Sequence, residues 1–173
     1  MTRPSGIIAL MATLVLAGCA AHTSPPQLPA GWRLPTAAET KDAWRSDDAE
    51  RHLRATADFD GDGRVDQAVL LVNETTAYVG LFVLLARAEA KVDARELEVI
   101  DEPRFIEVMG VSAAPKGVQR VMCLDHDSSC GSDGKKPLWL DVPAIDLFKV
   151  GSASSIFYWD PKTRSFEERS TSD

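Results

Sequence analysis

The chain is short of the residues that solution chemistry usually draws on. Among 173 residues there are only three histidines and three cysteines. No Gly-x-Ser-x-Gly occurs, which excludes the common nucleophile elbow, and neither His52 nor His126 lies in a zinc-hydrolase or triad pattern. Positive charge is also scarce: 19 Lys and Arg against 26 Asp and Glu leave a net charge of −7. That balance argues against nucleic acid held through phosphate contacts and fits a basic partner better. A phosphate-cradling loop is missing too, because Gly61 and Gly63 sit among carboxylates that repel phosphate. The almost unbroken apolar run at residues 7–16 is too short for a bilayer core of ~30 Å, which takes about 20 residues.

That run has another use. Arg3 precedes it and Leu16-Ala17-Gly18-Cys19 ends it, the order of charge, apolar stretch and small residues found in export signals. The ending resembles the bacterial lipobox. The resemblance implies diacylglyceryl transfer to the Cys19 thiol, cleavage before Cys19 and acylation of the new amino group by a chain such as palmitate, together enough for stable membrane anchoring. Ala20 follows the cysteine where an aspartate often signals inner-membrane retention, so the resemblance favours the periplasmic face of the outer membrane. Removing residues 1–18 takes away Arg3 alone among charged residues and moves the net charge from −7 to −8. Residues 19–35 carry Pro25, Pro26, Pro29 and Pro35. Such a segment is an extended tether rising ~3.1 Å per residue, or a disordered stub, and either holds the body off the membrane. Residues 36–173 remain as one globular domain.

Export makes a disulfide the expected state of Cys123 and Cys130. The bridge closes a short loop and restricts the unfolded chain by about 2 to 3 kcal/mol. The alternative use of the segment, a metal site from Cys123, His126 and Cys130, lacks an obvious fourth ligand.

Within the domain, Thr36-Ala37-Ala38-Glu39 has capping-box spacing and predicts a short helix through about Arg45, with Trp44 buried and Asp47-Asp48 at its end. Beyond it, short β-branched and aromatic segments alternate with turn residues, the pattern of an antiparallel sheet. They cover 53–57, 67–73, 78–87, 96–100, 105–112, 118–124, 139–142, 144–150, 154–159 and 165–169. The tail of the 78–91 stretch, rich in alanine, also suits a helix. Asp160-Pro161-Lys162-Thr163 predicts a turn closing a last hairpin. Phe157 and Trp159 then share one face, Tyr158 takes the other, and one face meets the core. The expected fold class is mainly β (α+β): one antiparallel sheet domain with a short N-terminal helix.

The sharpest motif is Asp58-Phe59-Asp60-Gly61-Asp62-Gly63-Arg64-Val65-Asp66. Like charges so spaced repel by roughly 3 kcal/mol per neighbouring pair at ~5 Å and an effective dielectric near 20. A hard divalent cation relieves that repulsion. The helical calcium hand takes a bidentate glutamate at the twelfth position of its loop, where this chain has Val69. The dockerin loop comes as a duplicated pair, and no second copy is present here. The motif resembles the calcium loop of FG-GAP and VCBS repeats. That resemblance implies calcium held by the side chains of Asp58, Asp60, Asp62 and Asp66 and the carbonyl of Arg64, with Gly61 and Gly63 allowing the tight backbone. A single copy cannot build a propeller.

Over the mature chain, an expected helix with Trp-Arg, the single aspartate loop, the cysteine pair and the closing segment 152–160 together resemble a group of small exported bacterial lipoproteins, a likeness that implies a location and no reaction. The expected function is a non-catalytic interaction or structural module of the cell envelope, anchored to the membrane by lipid, stabilised by calcium and meeting a protein partner there. Two alternatives arise from the same features. Small size, export and acidity also suit an immunity or inhibitor lipoprotein directed at a basic periplasmic toxin or hydrolase. Asp125-His126-Asp127 would suit a hydrolase with His126 as its base.

Overall fold

The computed structural model describes residues 28–45, 48–123 and 128–172. The two strands that organise it are the least polar in the chain. β3 (Asp66–Asn73) and β4 (Val79–Ala86) read almost without interruption as buried positions, because each is covered on both faces. Ala68, Leu70 and Val72 of β3 join Val79, Leu81, Val83 and Leu85 of β4 in the main core. Their alternate neighbours Val69, Leu71, Phe82 and Leu84 form a second cluster under Leu28 and Trp32. Strands buried on both faces lose the polar alternation of a half-exposed strand. β5 (Val92–Ile100), which does alternate, pairs antiparallel with β4.

The other edge of β3 is shared. β1 (Trp32–Arg33) pairs near its end, and β2 (Arg54–Ala57) pairs along its beginning. Sheet pairing thus starts within the segment expected as tether, where Trp32 sets its ring edge-on to Phe82 at 4.9 Å between centroids. A second sheet holds β6 (Met109–Ala114), β9 (Ala144–Lys149), β10 (Ser154–Asp160) and β11 (Ser165–Ser172), in the order β11-β10-β9-β6. β7 (Gly117–Met122) and β8 (Lys135–Leu140) form a separate hairpin. Just before β2 the chain touches both sheets: Leu70 N–H donates to Leu53 O at 2.9 Å and Val111 N–H to His52 O at 2.8 Å. The main core lies between the sheets, with Val111, Ile145, Leu147 and Phe157 contributed by the second.

The expected last hairpin is present. Asp160 pairs with Ser165, and the Asp160 carboxylate accepts from Lys162 N–H at 2.8 Å inside the turn. Phe157 enters the main core, while Tyr158 packs on a third cluster under β7 and β8.

The N-terminal helix is not. Among the described residues no helix reaches seven residues, and the domain is nearly all antiparallel sheet, so α+β is corrected to a small β domain. The capping contacts themselves form, with Glu39 N–H reaching Thr36 Oγ1 at 3.4 Å and Thr36 N–H reaching Glu39 Oε2 at 2.8 Å. Yet Glu39 is also held by both terminal nitrogens of Arg33 at 2.7 and 2.8 Å, which ties the turn to β1. After it only a 3-10 turn forms, Ala43–Arg45. Arg45 is wholly buried. Its guanidinium donates to the carbonyls of Arg51 at 2.7 Å, Ile106 at 2.7 Å and Met109 at 2.6 Å, while Trp44 Nε1–H donates to Glu107 O at 2.8 Å. A segment this short gains little from helix propagation, and these long-range bonds hold its backbone in another course. Cys19, Asp47 and His126 lie outside the described residues.

Candidate metal site in the β2–β3 turn

Ala57 and Asp66 face each other across β2 and β3, so residues 58–65 are the hairpin connection. Phe59 pins it: the ring is fully buried in the main core, a burial that contributes about 1.5–3 kcal/mol. The aspartates on either side of that anchor are thereby fixed around a common centre. Gly61 and Gly63 have φ of +75° and +85°, the region where a Cβ is penalised. Space at Gly61 is tight as well, since an added Cβ would sit 3.0 Å from Val142 Cγ1.

Side-chain oxygens of Asp58, Asp60 and Asp66 lie within 4.8 Å of one another, close enough to hold a metal ion. Asp66 is almost fully buried. Its two oxygens accept from backbone amides, Oδ2 from Phe59 at 2.9 Å and Oδ1 from Ala86 at 2.8 Å. Burial pushes its pKa up from the ordinary carboxylate range, against the pull of those two amides. Asp58 Oδ2 accepts from Gly63 N–H at 2.9 Å, whereas Asp58 Oδ1 is buried with no hydrogen-bond partner. An orphaned carboxylate oxygen within a trio of acids is the donor a hard cation takes.

The remaining expected ligands are placed differently. Asp62 lies outside the trio. Its oxygens accept from Arg64 N–H at 2.9 Å, Arg64 Nη1 at 3.2 Å and Arg87 Nη1 at 3.3 Å, and the Arg64 amide, followed by the side chain, holds its pKa below the usual carboxylate range. Arg64 thus enters through its amide and guanidinium. Comparison with known family models, curated proteins and solved structures found no match to this chain. The loop therefore stands on its own geometry.

That geometry includes one group that spacing could not reveal. Arg87, just past β4, reaches Asp60 Oδ2 at 2.5 Å and Asp93 Oδ2 at 3.3 Å as well as Asp62. Its guanidinium neutralises part of the acidic centre from the side. The only signal in the sequence is its place as the first charged residue after the apolar β4 run.

Cys123 and Cys130 are joined in a disulfide with Cα atoms 6.1 Å apart. Their sulfurs are committed to each other, which sets aside the thiolate metal site. His52 stacks on Trp44 at 5.8 Å and meets Phe148 edge-on at 5.3 Å.

Proposed function

We propose that the protein is an exported envelope module, anchored by lipid on Cys19 at the periplasmic face of the outer membrane, whose β domain is stapled by calcium and serves binding rather than catalysis. The calcium is held by Asp58, Asp60 and Asp66, with water completing the shell. The observation that carries the metal assignment is the buried, partnerless Asp58 Oδ1 beside two further carboxylates. An exported protein meets calcium at concentrations that fill even weak sites. Calcium would act here as a structural tie: it joins the start of β3, through Asp66, to the turn leaving β2.

The anchor assignment rests on Leu16-Ala17-Gly18-Cys19 after an apolar run. Fractionation of cells expressing the full chain tests it. The wild type should pellet with membranes and Cys19→Ser should appear in the soluble fraction; continued membrane association of Cys19→Ser refutes the anchor. A partner held by this module should co-purify with the lipidated protein in calcium and be lost in chelator.

A further inference from the structure

Beside the metal loop, and reaching beyond the structural role proposed for it, lies a cleft of about 340 Å³ between the turn, the β8–β9 connection and the end of β10. Its size is at the small end of the range for ligand sites. Three aspartates line it, Asp60, Asp141 and Asp160, with three aromatic residues, Trp139, Tyr158 and Trp159, and no lysine or arginine is among its lining residues. We infer that this cleft binds an organic cation, a guanidinium or alkylammonium group carried on a short apolar stem.

The carboxylates are unequally compensated. Asp60 is paired with Arg87. Among the described residues the Asp160 carboxylate accepts only from the amide of Lys162 within its own turn, which orients the group and leaves its charge. Asp141 makes neither a hydrogen bond nor an ion pair among the described residues and is exposed. Two negative charges therefore face the cleft without a cation, and a low-dielectric wall of rings strengthens their field.

The rings differ in the same way. Tyr158 is fixed by its hydroxyl, which donates to Glu167 Oε2 at 2.9 Å. Trp159 is fixed by an edge contact to Phe166 at 5.2 Å and by the Arg95 guanidinium 5.4 Å from its ring centre. Trp139, in contrast, is 69% exposed on the β7–β8 hairpin, opposite Val118, itself 58% exposed. An exposed tryptophan two residues from an unpaired carboxylate presents a π face and a negative charge together. A guanidinium or ammonium satisfies both at once, whereas a hydrated metal ion gains nothing from the rings and a neutral sugar leaves both charges unanswered.

Calorimetric titration of the full chain in non-ionic detergent tests this, with argininamide as the probe and methyl glucoside as the neutral control. Argininamide should bind saturably, weaken on raising the salt, and lose about threefold in affinity in Trp139→Ala and again in Asp141→Asn, the loss of an exposed cation–π contact or of an exposed charge partner. Both positions are exposed, so the unfolding temperature should not move. No saturable heat with argininamide, equal binding by both variants and wild type, or binding of methyl glucoside as tight as that of argininamide would each overturn the inference. Titrating in chelator as well as in calcium separates it from the metal assignment: binding that needs Trp139 and Asp141 in either condition supports the cleft whether or not the loop takes the ion.

Discussion

Asp58→Asn separates a metal staple from an acidic turn, because the two accounts give it opposite signs. In the wild type, Asp58 faces Asp60 and Asp66 with oxygens no more than 4.8 Å away. At that distance and an effective dielectric near 20, each pair of full charges repels by about 3.5 kcal/mol, and by about 1 kcal/mol if water screens it fully. Arg87 already offsets Asp60, so relief of about 1–3 kcal/mol is expected without metal. An asparagine keeps an oxygen for the Gly63 amide, and its NH₂ can donate toward the other carboxylates. In chelator, then, Asp58→Asn should melt higher than wild type, by roughly 5–10 °C for a domain of this size. In calcium that advantage should vanish or reverse. Wild type gains about 2.7 kcal/mol at a hundredfold excess over Kd, and the variant, lacking the donor, gains little. Circular dichroism melts in chelator and in millimolar calcium read both numbers. If the variant melts lower than wild type in chelator and keeps the full calcium increment, Asp58 is not a ligand and the staple is refuted.

Further outcomes concern the frame around the loop. Arg45→Ala should cost about 3–5 kcal/mol, since it strands buried carbonyls worth ~1–3 kcal/mol each, partly offset by relief of the buried charge; a denaturant midpoint close to wild type would contradict the role given to Arg45. Glu39 is pushed down to about 2 by the Arg33 guanidinium, with the Thr36 contacts adding to it. A carboxyl lower in the folded than in the unfolded chain stabilises fully above its unfolded value, about 4.3, and loses that contribution as the pH falls toward 2. With side chains 37% and 29% exposed, the pair is worth about 1 kcal/mol after screening. Urea midpoints between pH 5 and pH 2 should fall less steeply in Glu39→Gln than in wild type; parallel curves would refute the assignment.

The parts of this fold that local chemistry dictates could be read from the residues. The apolar runs of β3 and β4, the turn at Asp160-Pro161-Lys162-Thr163 and the hairpin position of the aspartate loop are all set by neighbours in sequence. What could not be read depends on distant partners. The Thr36–Glu39 box makes its local bonds, but Arg33 on β1, which grips Glu39, and the buried Arg45, whose carbonyl partners include Ile106 and Met109, decide the course of the backbone after it. Lys135-Lys136-Pro137 opens β8 although proline disfavours strands. β8 pairs with β7 alone, and an edge position tolerates the missing N–H. In the site, the resemblance to the FG-GAP loop grouped Asp62 with Asp58, Asp60 and Asp66. Arg87 and Arg64 draw it away, and Arg87 comes from 25 residues further along the chain.

The central claim is that Asp58, Asp60 and Asp66 hold calcium, and calorimetric titration of the full chain with calcium chloride after chelator treatment tests it most directly. Saturable single-site binding that Asp58→Asn abolishes, with a rise in unfolding temperature at saturation, is the predicted result. An absence of binding heat together with the same unfolding temperature in calcium and in chelator would contradict it.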